Sequence, residues 1–337
     1  MNDTSAIARA PARHAFLDSQ GLGAAPIALL AGDASFRRYY RLRSPSGPLV
    51  LMDAPPPQED VRPFARLSAH LDALGFSVPR VLAADEADGL LLLEDFGDAT
   101  YTRALAAGAD ETELYALAVD VLLALHAIPS ERALLPGLPL YETDDMSDKA
   151  GLLMDWYPTL ATGNPADPAL AAEYRALWRA ALPALDAGPR TLVLRDYHVD
   201  NLMLLDGRAG IRRCGLLDFQ DAARGATAYD LVSLIEDARR DIDPVLYRTM
   251  LDRYLASLPP SARPDFLAAV ALCAAQRHSR VIGVFSRLKL RDGKGHYLQH
   301  LPRLWRLFER ALAHETLAPI RAFVDRHIPP AMRGARP

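Results

Sequence analysis

Two short polar clusters, each following an apolar run of strand length, constrain this sequence more than any other feature. Residues 194–201 read LRDYHVDN, and residues 216–221 read LLDFQD. Asp196 lies five positions before Asn201, and Asp218 follows 22 positions after Asp196. The apolar runs TLVL and LMLL that flank the first cluster predict buried strands. The polar side chains are therefore expected in loops at strand ends, where reactive groups are often presented.

This spacing predicts a centre for phosphoryl transfer of the kinase type. Asp196 is the candidate general base, because a carboxylate within reach of a substrate hydroxyl can accept its proton. Asn201 and Asp218 are the candidate ligands of Mg²⁺, which prefers oxygen donors and takes one or two carboxylates together with substrate phosphates. The structural alternative for each carboxylate is a cap on a turn. The three side chains in this order favour the catalytic interpretation.

Three further residues near this centre have candidate roles. His198 either holds the loop that carries Asp196 or reaches the substrate, and Asp200 is a candidate substrate contact. Asp230 either caps a helix or braces the loop of Asp196 through hydrogen bonds, and we expect a structural role in both cases.

The secondary structure is expected to change character near Asp98. Before it the sequence predicts a small β-rich region, with helices at 8–19 and 60–74 and strands at 27–31, 38–42, 48–53, 81–84 and 90–93. After it the apolar periodicity is mostly helical, over 110–128, 167–187, 229–241, 244–257, 264–288 and 298–326. Extended segments are expected at 191–194, 202–205 and 211–217. The segment 129–165, rich in Pro, Gly and Asp, is expected to be an ordered loop or an insertion.

The fold class that these elements predict is α+β, with the bilobal arrangement of protein kinases. Residues 1–96 form the expected nucleotide-binding lobe, and residues 97–337 form the expected catalytic and substrate-binding lobe.

The expected hinge between these lobes contains a misleading tripeptide. Asp95-Phe96-Gly97 lies a hundred residues before Asp196, whereas a metal-binding DFG follows the catalytic Asp. We therefore interpret residues 94–97 as a hinge whose backbone meets the adenine, with Glu94 and Phe96 as nucleotide contacts.

The expected phosphate loop also departs from common patterns. Between the first two strands there is one glycine, Gly32, followed by small residues that still let backbone N–H groups approach phosphates. The first 148 residues contain no lysine, so in an active enzyme an arginine must replace the phosphate-binding lysine of the third strand. The nearest arginines are Arg37, Arg38 and Arg41, and a solvated strand face is the alternative reading. Ser35 and Phe36 complete the predicted nucleotide contacts.

Composition limits the partners and the compartment. The net charge of −4 argues against nucleic acid as the main partner. No apolar run is long enough to span a bilayer, and the N-terminal residues lack a signal-peptide core. The two cysteines, Cys214 and Cys273, match no metal or redox spacing, and both are expected to be reduced. We expect a cytoplasmic monomer that uses ATP and Mg²⁺ on a small molecule.

The motifs resemble those of the aminoglycoside phosphotransferase and choline kinase-like family. Its catalytic pattern, His-Gly-Asp-x-His-x-x-Asn, aligns with Leu194 to Asn201, with Leu194 in place of the first His and Arg195 at the Gly position. Its metal pattern, Ile-Asp-Phe/Trp, is matched by Leu217-Asp218-Phe219. The resemblance extends over residues of about 30–312. It implies this fold and ATP-dependent phosphotransfer, but it is weak evidence for any particular substrate.

Four segments are similar to a bacterial subgroup of this family that phosphorylates the C1 hydroxyl of N-acetylmuramate and N-acetylglucosamine. The segments read GDASFRRY, LMDAPP, LEDFGD and LDFQDA. The resemblance implies a sugar kinase in cell-wall recycling, in which the absent third-strand lysine is normal.

The segment 277–294 fits an anionic acceptor independently of this resemblance. It has six basic residues against one acidic residue, and Arg280 within it is a candidate substrate contact. A solvated helix face is the alternative. Two other functions remain open at this point: a kinase of an aminoglycoside, choline or another small metabolite, and an inactive nucleotide-binding regulator.

Overall fold

The computed structural model describes residues 8–32, 36–45 and 47–334, and they fall into two compact units. Unit 1 comprises Met1–Asp110 and Val199–Asp221, and unit 2 comprises Glu111–His198 and Ala222–Pro337. The segment 199–221, which the sequence placed in the second lobe, is thus grouped with the first 110 residues.

Unit 1 is built on an antiparallel sheet of five strands in the order β1-β2-β3-β5-β4. The strands are β1 (Ile27–Gly32), β2 (Arg38–Ser44), β3 (Gly47–Asp53), β4 (Val81–Asp85) and β5 (Leu90–Glu94). Its helices are α1 (Ala10–Ser19), α2 (Arg62–Ala73) and α3 (Tyr101–Ala106). Side chains alternate between the two faces of a strand, so one face buries Tyr40, Leu42, Leu51, Leu90 and Leu92 against Phe16 and Leu17 of α1.

Helix α1 is fixed to the sheet by a buried carboxylate. Asp53 ends β3, is 2% exposed, and pairs with Arg9 at 2.7 Å and Arg13 at 2.9 Å. The residue that ends β3 therefore holds the N-terminal helix.

A short hairpin explains why residues 199–221 belong to unit 1. Strands β7 (Leu202–Leu204) and β8 (Cys214–Leu216) pair with each other. The N–H of Leu216 donates to the carbonyl of Ser77 at 2.8 Å, and the Ser77 hydroxyl donates to the carbonyl of Arg212 at 2.7 Å. These bonds satisfy the outer backbone groups of the hairpin within unit 1.

Unit 2 is mainly helical. Its helices are α4 (Glu111–His126), α5 (Ser130–Ala133), α6 (Thr143–Thr162), α7 (Pro168–Ala181), α8 (Ala228–Ile235), α9 (Pro244–Ala256), α10 (Arg263–Asp292), α11 (Leu301–Leu312) and α12 (Ala318–His327). Its two strands, β6 (Arg190–Val193) and β9 (Ala223–Ala226), pair antiparallel. The segment 298–326, predicted to be helical, contains α11 and most of α12, whereas β9 has no counterpart in the sequence prediction.

The largest departure from the sequence prediction is α6. The expected loop or insertion at 129–165 contains this 20-residue helix, which ends at Gly163 in a left-handed conformation. Gly283 of α10 allows the close contact between the two helices, because a Cβ at this position would lie 2.3 Å from the carbonyl carbon of Leu152. Both cysteines are buried, and neither is part of a disulfide. No helix in the described ranges has the length and apolarity needed to cross a membrane.

Candidate active site

Unit 1 contains a largely apolar cavity of about 330 Å³. Its walls come from four strands of the large sheet, from α2 and from the hairpin, through Leu30, Tyr39, Val50, Phe64, Leu93 and Met203. The residues 94–97 also line it, as do Asn201 and Asp218. An apolar pocket with a few convergent polar groups is the usual form of a small-molecule site.

The predicted hinge, residues 94–97, is held by paired charges. Glu94 bonds Arg208 at 2.6 Å and Arg80 at 3.1 Å. Arg41 donates to Asp95 at 3.0 Å and to both oxygens of Asp98 at 2.9 Å. These contacts fix the side chains around the hinge.

Phe96 lies in the cavity wall and has tight neighbours. The guanidinium of Arg208 lies 5.0 Å from the centre of its ring. A Cβ at Gly215 would come within 2.8 Å of the same ring, so only glycine admits Phe96 in this position. Of the predicted adenine contacts, Glu94 and Phe96 thus both line the cavity.

Asn201 and Asp218 meet in unit 1. The Asn201 amide donates to Asp218 at 3.4 Å, and the N–H of Leu217 donates to the carbonyl of Asn201 at 2.9 Å. Asp218 has a left-handed φ of 56°, which is costly for a residue with a Cβ and is kept where the surroundings require it. Phe219 anchors the next position, with its ring 4.9 Å from that of Phe64 on α2.

The donor set around Asp218 fits Mg²⁺. The Gln220 amide nitrogen donates to Asp218 at 2.8 Å, while its buried carbonyl oxygen has no hydrogen-bond partner among the described residues. An amide oxygen, a carboxylate and a neighbouring unsatisfied oxygen match the preference of a hard cation. The described residues contain no cluster of three His, Cys, Asp or Glu side chains that could hold a metal without a substrate's phosphates.

The predicted phosphate loop is described only in part. Ser35 lies outside the described residues. Arg37 has its guanidinium 3.5 Å from Glu59 and 3.9 Å from Asp218. The backbone N–H of Phe36 donates to the same Glu59 at 3.0 Å, although the Phe36 side chain is half exposed. Of the three candidate arginines, Arg37 is therefore the one that lies near Asp218, a candidate ligand of Mg²⁺.

The other two candidate arginines are placed differently. Arg41 is engaged at the hinge. Arg38 begins β2 opposite Asp53, and because side chains alternate along a strand it points away from the face on which Tyr39 lines the cavity.

In unit 2, Asp196 lies on a loop that Asp230 holds by two hydrogen bonds. We call residues 194–198 the catalytic loop. Asp230, fully buried on α8, accepts from the N–H of Leu194 at 2.6 Å and of Arg195 at 2.8 Å. Arg195 has a left-handed φ of 72°. The Tyr197 hydroxyl donates to the carbonyl of Ala118 on α4 at 2.8 Å, so the loop is fixed on both sides of Asp196.

The charges around Asp196 keep its carboxyl ionised. Burial alone would raise its pKa, but the nearby positive charges of Arg277 and Arg280 outweigh burial, and the pKa is lowered. An ionised carboxylate is the form that can accept a proton. A lowered pKa also makes it a weak base, which suits a reaction in which positioning contributes more than proton abstraction.

His198 and Asp200 have different surroundings. His198 is 7% exposed in unit 2, and burial lowers its pKa, so it is neutral near pH 7. Asp200, in unit 1, accepts from the Thr102 hydroxyl at 2.5 Å. The burial of His198 favours loop structure, and Asp200 contacts the first turn of α3.

Three residues of these sites, Glu59, Gln220 and Arg277, were not predicted as site residues from the sequence. Glu59 lies in no quoted motif, and Gln220, although part of LDFQDA, was assigned no role, because both roles depend on which side chains fold beside them. Arg277 lay within the basic segment, but its deep burial, 6% exposed, has no sequence signal.

A family comparison agrees with this geometry. Residues 26–265 match the model of the phosphotransferase enzyme family known as APH, and the chain belongs to this family.

Within this family, the chain is similar to proteins that share one name. Two relatives with the name N-acetylmuramate/N-acetylglucosamine kinase are each 38% identical to the chain. The relative from Caulobacter vibrioides aligns with 95% of this chain and 97% of its own. The relative from Pseudomonas aeruginosa aligns with 88% of this chain and 87% of its own.

Solved structures share the fold. A choline/ethanolamine kinase family protein from Mesorhizobium loti superposes with a TM-score of 0.57 at 15% identity, over 89% of this chain and 92% of the other. A GDP complex of an aminoglycoside 2'-phosphotransferase-IIIa gives a TM-score of 0.55 at 16% identity, over 86% and 92%. The predicted α+β kinase-like fold is thus confirmed.

Proposed function

We propose that this protein is an ATP- and Mg²⁺-dependent kinase that phosphorylates the C1 hydroxyl of N-acetylmuramate and N-acetylglucosamine. The observation that carries the proposal is the ionised Asp196, held by Asp230 and surrounded by arginines, in a chain 38% identical to kinases named for these sugars. The C1 position rests on the resemblance of the motifs.

Asp196 has the central chemical role in this proposal. The acceptor hydroxyl hydrogen-bonds to its carboxylate, and the hydroxyl oxygen attacks the terminal phosphorus of ATP. The bond from that phosphorus to the bridging oxygen breaks, ADP leaves, and the hydroxyl proton passes to Asp196. Holding the hydroxyl in an attacking orientation supplies much of the rate enhancement.

Unit 1 supplies the nucleotide site. The apolar cavity takes the adenine beside residues 94–97, and Arg37 binds phosphate oxygens in place of the absent lysine. Asn201 and Asp218 would hold Mg²⁺, which neutralises charge on the phosphates when bound. The Gln220 carbonyl oxygen is a further donor for the same group.

The alternatives are less well supported. A kinase of choline or an aminoglycoside must bind a cationic acceptor, and the positive charges of Arg277 and Arg280 act near Asp196. An inactive regulator would have no need of an ionised Asp196 on a doubly braced loop. We place the reaction in the cytoplasm, where ATP is available, and in a route that recycles cell-wall sugars.

The test is phosphorylation by the purified protein with ATP and Mg²⁺. N-acetylmuramate, N-acetylglucosamine, kanamycin and choline are offered in turn, and phosphorus NMR identifies the product. A sugar 1-phosphate from both amino sugars is expected. Turnover of kanamycin or choline alone would refute the substrate assignment, and ATP binding without turnover of any acceptor would favour the regulator.

A further inference from the structure

Helix α10 of unit 2 carries a buried arginine, Arg277, near the catalytic loop. Arg277 is 6% exposed, and its one hydrogen bond is a long contact of 3.5 Å to the carbonyl of Arg195. Among the residues that the structure describes, it has no ion-pair partner. A guanidinium has five N–H donors, so this single long contact leaves most of them available to a ligand.

Arg280 lies one turn further along the same face of α10. Its hydrogen bond is to the Tyr229 hydroxyl, at 3.4 Å, and within the described chain it likewise forms no ion pair. Tyr229 also lies beneath Arg277, whose guanidinium is 5.9 Å from the ring centre. The two arginines thus share one neighbour and have no carboxylate bonded to either.

The phenol between them responds to this excess of positive charge. Burial raises the pKa of Tyr229, but the charges of Arg280 and Arg277 outweigh burial and lower it. The Tyr229 hydroxyl lies 3.2 Å from that of Tyr141. The charges of Arg277 and Arg280 also act on Asp196, and that of Arg277 acts on Asp230, although neither arginine forms an ion pair within the described residues.

Resting on the proposed function, we infer that Arg277 and Arg280 form an anion subsite that binds the lactyl carboxylate of N-acetylmuramate. Two guanidinium groups on one helix face offer several parallel donors to a planar carboxylate. N-acetylglucosamine lacks this carboxylate, so the pair sets the preference between the two acceptors.

The transferred phosphoryl group is the other anion that could meet these arginines. Both sugars receive the same phosphoryl group, but only N-acetylmuramate has a carboxylate. The ratio of kcat/KM for N-acetylmuramate to that for N-acetylglucosamine therefore shows which of the two anions the arginines bind.

The experiment measures this ratio for the native protein and for Arg280→Gln. We expect the ratio to fall about ten- to a hundredfold, mainly through KM for N-acetylmuramate, because a charge-assisted hydrogen bond is lost. The methyl ester of N-acetylmuramate provides the matched substrate. The native protein should discriminate against the ester, whereas Arg280→Gln should treat acid and ester nearly alike. Arg280→Lys, which keeps the charge, should restore part of the preference.

The matched control is Arg291→Gln on the same helix. Arg291 is exposed and pairs with its neighbour Asp292, so this variant should keep the native ratio. An unchanged ratio in Arg280→Gln, or an equal loss for both sugars, would overturn the carboxylate subsite and point to the phosphoryl group in the second case. Failure of the native protein to phosphorylate either sugar would instead refute the proposed function.

Discussion

The arginines near the hinge of unit 1 and those near Asp196 in unit 2 differ in how their charge is balanced. Arg41 donates to Asp95 and Asp98 and forms ion pairs with both carboxylates. Arg277 and Arg280 have one long hydrogen bond each and, in the described residues, no ion pair. Balanced arginines stabilise the fold, whereas unbalanced ones are the better candidates for binding a substrate.

The largest effect should follow from removing the carboxylate that acts among the unbalanced arginines. Asp196→Asn keeps the shape but cannot accept a proton, so kcat should fall by roughly 100- to 10,000-fold. Steady-state kinetics would measure this loss, and thermal unfolding would show that the fold persists. Asp206→Asn, in an exposed turn, is the control. Near-native turnover in Asp196→Asn would remove Asp196 from the mechanism.

Asp230, which holds the catalytic loop by two hydrogen bonds, should make the stability of the folded protein depend on pH. Burial raises the pKa of Asp230 to about 6 from 3.8, so the folded state binds a proton more readily than the unfolded state between these values. Stability from this group is therefore lost as pH rises through that window, by about 3 kcal/mol at most.

Asp230→Asn removes this titration. Urea unfolding of both proteins from pH 4 to pH 7 should show the native protein losing stability relative to the variant as pH rises. Parallel stability curves would mean that Asp230 does not titrate in this window.

The ion pair between Arg41 and Asp95 in unit 1 should stabilise the fold, so removing one of the two partners should destabilise the protein. Arg41→Met leaves the Asp95 carboxylate, 2% exposed, without its partner, and unfolding should become easier by about 2–3 kcal/mol. The double variant Arg41→Met with Asp95→Asn should recover part of this loss. If the loss of stability in the double variant equals the sum of the two single losses, the two side chains do not act as a pair.

The smallest predicted effect is on the KM for ATP, and it should differ between the adjacent residues Arg37 and Arg38. Arg37→Met should raise KM for ATP about tenfold, the loss of roughly one charged contact to phosphate. Arg38→Met should change KM less than twofold, because its side chain points away from the cavity face. Equal effects of both substitutions would show that Arg37 has no special role.

The sequence predicted the elements whose signals are local. The five strands of unit 1 and the order Asp196, Asn201, Asp218 follow from apolar runs and short motifs. Helix α6 was missed because its Pro, Gly and Asp content suggested a loop. Its buried residues Met146, Ala150, Leu153 and Tyr157 nevertheless recur at helical spacing, so the signal was present.

Other features depend on the folded chain. The pairing of Arg37 with Glu59 joins residues 22 positions apart. That Arg277 forms no ion pair with a described carboxylate, although its charge acts on Asp196, depends on how the chain folds and not on its neighbours in sequence. Such features need the tertiary structure, because a charge is balanced or unbalanced only by what folds against it.

The buried Asp53 has a practical consequence for producing this protein. A shortened recombinant form that begins after Arg13 would lose both cations that neutralise Asp53, and the isolated charge would remain under the sheet. Purification tags are therefore better placed at the C-terminus, or before residue 8 with the first helix left complete.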